Sequence, residues 1–247
     1  MDLTDEELED FGDKEYILYR IENELNTQFN TRKQLVLKTM YAYIDRSGSL
    51  YDTECLSLFG TNSFNLVWEK ICAEIMDNQL DVPLGILKLP VPLKEDYNRR
   101  QKLIELIEKP LWTITGKCAK DTLIPDLVSI CKVNDQHQFI IFDAKYYNAH
   151  LEKGIVPTGQ PGIESITKQY LYQLAYQQFI EDHNFSSVKN CFLLPTENNE
   201  IEDKGEVRME MLSNLGLQDI KIRLIPATMA YDLYLSGRKM DIADLEL

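Results

Sequence analysis

The sequence predicts an α/β (α+β) protein, a mixed β-sheet flanked by helices, with its elements in the order α-β-β-β-α-β. Two observations carry this. Around residues 64–76 apolar side chains recur every three or four positions, the period of a helix with one buried face. From 111 to 147 that period gives way to short runs of β-branched and aromatic residues, before helical sequence returns at 163–182. Helices alternating with strands in this way build layers on a single sheet.

The 247 residues suffice for one large domain or two small ones. A hydrophobic fraction of 44% and a charged fraction of 27% are ordinary for a globular protein. No run of about 18 apolar residues occurs, so no membrane span is expected. The acidic start "MDLTDEELEDFGDKEY" is unlike a signal peptide, which points to the cytoplasm. Five scattered cysteines (55, 72, 118, 131, 191) without C-x-x-C spacing, and three dispersed histidines, exclude a structural zinc site. The net charge of −14 argues against indiscriminate adhesion to a polyanion. The charge is uneven, however. Residues 1–30 hold ten acids and two bases, whereas 88–120 hold eight bases and four acids. That basic stretch is compatible with contacts to a phosphate backbone, or with a solvated helix face.

Residues 14–29 and 31–45 read as helices, the second opening on a Thr31-x-x-Gln34 capping box. They form an N-terminal helical region, 1–60, which a break at "DRSGSLYD" follows. Asn62 or Ser63 then caps a strongly amphipathic helix carrying Phe64, Val67, Trp68, Ile71, Cys72, Ile75 and Met76. A proline-rich connection (81–93) leads to a candidate helix at 97–109. Strands are expected at 111–115, 126–131, 138–147 and 188–194. A Gly/Pro loop precedes the helix at 163–182. "GEVRMEML" and "DIKIRLI" read as later strands, and "ATMAYDLYLSG" as a last helix.

The stretch "LIPDLVSICKVNDQHQFIIFDAKYY", from Leu123 to Tyr147, is an apolar hairpin that nonetheless carries Asp126, Asp143 and Lys145. "VNDQ" marks its turn. The midpoint of 126 and 143 falls between Asn134 and Asp135, inside that turn. The two aspartates are therefore cross-strand neighbours, with Cβ atoms about 4.5–5.5 Å apart. Two ionised carboxylates at that distance repel, and a divalent cation bound between them removes the conflict. Lys145 shares the face of Asp143, with Ala144 on the other. An ammonium there can orient an attacking water and offset charge on a phosphate. Hard oxygen donors suit magnesium or manganese rather than zinc. The set reads as one for metal-dependent phosphoryl hydrolysis; the bland reading is three solvated charges.

Pro125-Asp126 together with Asp143-Ala144-Lys145 resembles the bipartite motif of the PD-(D/E)xK nuclease superfamily. "IPDLVSI", "FIIFDAKYYN", "GQPGIESITKQYLYQLAY" and "NCFLLPTE" resemble, more closely, the LlaJI-type restriction endonucleases, related to the nuclease subunit of McrBC-like systems. The likeness is clearest from about 61 to 236, and nothing is recognised in 1–60. It implies a restriction-endonuclease-like core over 61–247. It also implies a Mg²⁺-dependent DNA endonuclease, with Mn²⁺ able to substitute, leaving a 5′-phosphate and a 3′-hydroxyl. Asp126 and Asp143 would be metal ligands, and Lys145 would position the water and steady the transition state. Such folds often add an acid from the preceding helix, where Glu69 and Glu74 both stand. Glu69 is favoured, at the half-buried edge beside Trp68 and Cys72.

In the helix after the hairpin, Gln169, Tyr172, Gln173 and Tyr176 make one stripe at i, i+3, i+4 and i+7. Relatives often carry a Gln-x-x-x-Tyr element here; this chain is one residue short of that spacing. Lys168 and Gln169 are expected to face the site, and with Tyr172 and Lys120 to contact the phosphates of double-stranded DNA. The relatives commonly work with an McrB-like nucleotide-hydrolysing motor. This chain lacks G-x-x-x-x-G-K-[ST] and is not that motor. A motor or specificity subunit, and a homodimer that cuts both strands, are the expected partners. The alternatives are a repair or recombination nuclease of the same fold, and a catalytically silent scaffold.

Overall fold

A computed structural model describes residues 8–28, 31–46 and 63–247 of the chain. The backbone falls into two compact units, Met1–Gly60 and Thr61–Leu247. In the first, helix α1 (Lys14–Thr27) is capped by Asp13, whose carboxylate accepts from the Tyr16 amide at 2.8 Å. It packs on helix α2 (Thr31–Arg46), and Ile21 and Ile44 are the buried residues of the pair. Residues 29–30 and the side chain of Thr31, hence the expected capping box, lie outside the described residues, as does the break after Arg46.

In the second unit, helix α3 (Phe64–Ile75) buries Trp68, Ile71, Cys72 and Ile75 of the stripe read from the sequence, and Met76 is buried just past its end; Phe64 is only half-buried and Val67 is exposed. Ser63 occupies its N-cap position without a side-chain bond to the helix, and Asn62 lies outside the described residues. Two short strands follow, β1 (Leu111–Trp112) and β2 (Lys117–Cys118). Next come β3 (Leu127–Val133), β4 (Gln136–Ala144), helix α4 (Ile163–Asp182) and β5 (Ser187–Thr196). The chain closes with β6 (Glu202–Val207), β7 (Ile220–Pro226) and helix α5 (Ala227–Leu235).

The five-stranded sheet runs β3-β4-β5-β7-β6. β4, β5 and β7 are parallel, while β3 and β6 are antiparallel outer strands, so the sheet is mixed. Asn134 and Asp135 turn the β3–β4 hairpin with φ of 50° and 66°, as a two-residue type I′ loop requires. Alternating side chains then separate two cores. Leu127, Ile140, Phe142 and Leu193 face α3 and α5; Val128, Ile130, Phe139 and Ile141 face Tyr172, Tyr176 and Phe179 of α4. The outer edge of β3 is closed by the chain leaving α3. The Gln79 amide donates to the Val128 carbonyl at 2.8 Å, and the Val128 amide donates to Asn78 Oδ1 at 3.0 Å. Among the described residues no helix is long and apolar enough to cross a membrane.

Three elements differ from the sequence reading. The 97–109 stretch is not an α-helix; it holds one 3-10 turn at Leu103–Leu106. Its backbone bonds sideways instead, with Leu84 N donating to Gln101 O, Gly85 N to Arg99 O and Leu103 N to Val82 O. Leu103 and Ile107, spaced as on a helix, fill the core from this extended ladder. The expected strand 111–115 shrinks to β1, which pairs with β2 in a separate two-stranded sheet. Only two strands of the main sheet therefore precede α4. "GEVRMEML" contributes strand only to Val207, and a 3-10 turn follows at Glu210–Leu215.

Trp68 is wholly buried between α3 and the sheet, and its indole N–H donates to the Leu193 carbonyl at 3.1 Å. Trp68→Ala should cost about 3–5 kcal/mol in urea unfolding. A loss below about 1 kcal/mol would contradict this packing.

Candidate active site

The ladder pair Leu127–Phe142, extended one step, sets Asp126 against Asp143 at the end of the hairpin away from its turn. Three bonds hold this end. The Ala144 amide donates to Asp126 Oδ2 at 2.8 Å. The Tyr172 hydroxyl donates to the Ile124 carbonyl at 3.0 Å, fixing the chain just before Pro125. The Lys145 amide donates to the Leu193 carbonyl at 2.9 Å, the same oxygen that receives Trp68.

Lys145 Nζ lies 2.8 Å from Asp143 Oδ2 and 3.8 Å from Asp126 Oδ2, so one ammonium faces both carboxylates. Asp143 is only 4% exposed. Its Oδ2 is buried, and the Lys145 ammonium is the partner it faces. Burial, and then the charge of Asp126, push the Asp143 carboxyl up to about 7, against the lowering pull of Lys145. Burial alone would lower Lys145, but Asp143 and Asp126 outweigh it and hold the ammonium above its ordinary value.

Glu69 is half-buried on α3. Burial and then Asp126 push its carboxyl up, while Lys145 and a hydrogen bond with Asn65 pull it down. It thus stands within electrostatic reach of both Asp126 and Lys145. Glu74, the other candidate acid, is exposed and paired with Lys70 at 2.7 Å and Lys239 at 3.8 Å.

The α4 stripe faces inward. Gln169 is fully buried, and its amide donates to the Ile141 carbonyl at 2.7 Å and approaches Asn190 Oδ1 at 3.4 Å. Asn190 in turn donates to Gln173 Oε1 at 2.6 Å. Contact of Gln169 with phosphate would require it to leave this network. Tyr172 is 5% exposed and touches the site through Ile124, while Asp143 and Asp126, after burial, raise its phenol. Lys168 is exposed and paired with Glu164 at 2.6 Å. Lys120 is exposed, and its carbonyl accepts from Lys109 Nζ at 2.8 Å. The sequence reading passed over two residues. Asn190 is the polar partner that turns the glutamines inward. Glu164, in the first turn of α4, feels Lys145 as well as Lys168. An acid four residues before Lys168 was the available signal for the second.

The donor set fits a hard divalent cation: two opposed carboxylates, one of them buried, that share a single ammonium. Among the described residues no three His, Cys, Asp or Glu side chains form a ready-made metal cluster. The pair Asp126 and Asp143 would therefore hold such a cation, with Glu69, within electrostatic reach of Asp126, a further acid to consider.

The fold is a mixed α/β sheet that carries two opposed aspartates and a lysine at one hairpin end. The chain belongs to the LlaJI restriction endonuclease family, whose model matches residues 1–230. The match takes in residues 1–60, where inspection of the sequence recognised nothing. The chain is also 28% identical over 232 residues to the "Type II restriction enzyme BsuMI component YdjA" of Bacillus subtilis (strain 168). That alignment covers 91% of this chain and 44% of the relative, so the chain spans less than half the relative's length. No solved structure matches the chain.

The raised Asp143 carboxyl sets a pH dependence. In the folded, metal-free protein it keeps its proton to about 7, whereas in the unfolded chain it loses it near the ordinary value of 3.8. The folded state thus holds more protons across that window, and this residue's contribution to stability falls as pH rises through it. In EDTA, Asp143→Asn should melt higher than wild type at pH 8, with the gain shrinking toward pH 4. A variant that melts lower at pH 8 would show that the Lys145 pair outweighs burial.

Proposed function

We propose that this chain is the metal-dependent endodeoxyribonuclease component of a restriction or phage-defence system. On this reading it hydrolyses phosphodiester bonds in double-stranded DNA to leave a 5′-phosphate and a 3′-hydroxyl. The observation that carries the reading is Asp126 opposite Asp143, with Lys145 facing both at 3.8 and 2.8 Å. Family membership supports it independently.

Asp126, fixed by the Ala144 amide, and the buried carboxylate of Asp143 would hold Mg²⁺ or Mn²⁺, with Glu69 as third acid. The cation supplies Lewis-acid stabilisation of the phosphate and a more acidic water. Lys145, kept charged by the two aspartates, orients that water and offsets charge developing on the phosphate. Tyr172 holds the Pro125-Asp126 strand in place from behind. Exposed Lys168 and Lys120 contact the phosphate backbone, and Gln169 secures α4 to the sheet below them.

Residues 61–247 form the nuclease unit in this scheme, and the enzyme works in the cytoplasm. The relative's name describes it as a component of a larger enzyme, which favours partner subunits here too: an McrB-like motor, a specificity subunit or a second copy.

Supercoiled plasmid incubated with Mg²⁺, Mn²⁺ or EDTA tests the reading. Nicking or linearisation should need metal, disappear in Asp143→Asn and fall about 10²–10³-fold in Lys145→Ala. Equal cleavage by Asp143→Asn and wild type would overturn the site assignment.

A further inference from the structure

The β1–β2 hairpin remains unexplained by the fold. It contributes nothing to the main sheet, yet its backbone is tightly built. Leu111 pairs with Cys118 and Trp112 with Lys117. The Trp112 carbonyl accepts from the amides of Thr115 and Gly116 at 3.0 and 2.9 Å, and from the Thr115 hydroxyl at 3.0 Å. Gly116 takes φ 64° to close the turn, a left-handed conformation that glycine adopts without strain. Its stem is clamped as well. The Ala119 amide donates to the Pro110 carbonyl at 2.7 Å, Lys109 Nζ to the Lys120 carbonyl at 2.8 Å, and Thr122 Oγ1 to the Glu108 carbonyl at 2.7 Å.

What this turn displays is apolar. Leu111, Trp112 and Ile114 are 60%, 63% and 95% exposed. A β-branched residue almost fully in water at the apex of a hydrogen-bonded turn serves no core. Apolar side chains clustered in this way mark a contact surface. The charge around them selects the partner: residues 109–120 contain three lysines and no acid, in a chain of net charge −14. Lys117 lies directly across the ladder from Trp112, so the hairpin carries a cation and an aromatic residue at one level. The position is equally specific. Thr122, which closes the stem, is four residues from Asp126, a chain reach of at most roughly 14 Å. The hairpin is tethered to the start of β3, and so to the end of the sheet where the aspartates lie.

We propose that this hairpin is a DNA-binding arm that enters a groove of the duplex beside the bond being cut. Ile114 and Trp112 lie against bases and sugars, and Lys117 rests on the backbone phosphate. Apolar wedges and aromatic faces are used on nucleic acid in this way elsewhere. The inference rests on the reading of the chain as a DNA nuclease and adds the surface that grips the duplex.

The chain contains its own reporter. Of its two tryptophans, Trp68 is wholly buried and Trp112 is exposed, so acrylamide quenches chiefly Trp112. The full chain is titrated with a 30-base-pair duplex in EDTA, following both fluorescence anisotropy of labelled DNA and acrylamide quenching of tryptophan. Binding should shield Trp112. Trp112→Ala and Ile114→Ser should bind about tenfold more weakly while melting as wild type does. Lys117→Ala should reduce the salt slope of binding by about one. DNA binding with Trp112 still open to acrylamide, and with variants of wild-type affinity, would overturn the arm alone and leave the nuclease reading standing. A protein-subunit contact would then be the hairpin's use. No binding to any duplex by anisotropy would overturn the arm and, with it, the reading that this chain itself holds DNA.

Discussion

Everything at the candidate site follows from one electrostatic conflict. Hairpin register sets two carboxylates against each other, and one of them, Asp143, is buried where ionisation is costly without a cation nearby. Lys145 supplies one positive charge for two negative ones, and supplies it unevenly, closer to Asp143 than to Asp126. Burial first, and then this remaining imbalance, raise the carboxyl of Asp143. An ordinary structural ion pair would match one charge with one. This one leaves two carboxylates sharing a single ammonium, with Asp143 buried.

The strain is held by the elements around it. The Leu193 carbonyl, with two lone pairs, receives both the Lys145 amide and the Trp68 indole, tying the lysine to the helix that carries Glu69. On the opposite face, Tyr172 and Gln169 fasten α4 to Ile124 and Ile141, each two residues before an aspartate of the pair. Asn78 and Gln79 close the outer edge of β3. Helices on both faces and a loop at the edge thus converge on four residues of backbone. A site that must hold like charges together needs such rigid support, because small displacements would let the carboxylates relax apart.

The hairpin was legible from sequence because a two-residue turn makes register a matter of counting. Asp126 and Asp143 are equidistant from Asn134–Asp135, and period-two alternation fixes the faces. Helix α3 was equally readable, since its stripe has no competing interpretation. The α4 stripe was not. Glutamines and tyrosines at i, i+3, i+4 and i+7 suit a phosphate or a polar seam against a sheet. What decides between these is Asn190, buried on β5 and far away in the sequence. Residues 97–109 misled for a related reason: Leu103 and Ile107 have helical spacing, but the backbone partners of Arg99, Gln101, Leu103 and Ile104 lie in residues 80–85, which local pattern does not reveal. "LWTIT" has strand composition yet no place in the sheet, because Gly116 turns the chain back after Trp112.

The central claim is that the aspartate pair exists to hold a divalent cation. Isothermal titration of Mn²⁺ into the purified chain tests it without requiring DNA, a partner or turnover. Wild type should bind Mn²⁺ in a saturable manner, more weakly as pH falls below about 7 and Asp143 takes up its proton. Asp126→Asn and Asp143→Asn should each abolish that binding, while Glu74→Gln, changing an acid on the solvent side of the same helix, should leave it intact. Equal Mn²⁺ affinity in wild type and both aspartate variants would contradict the account.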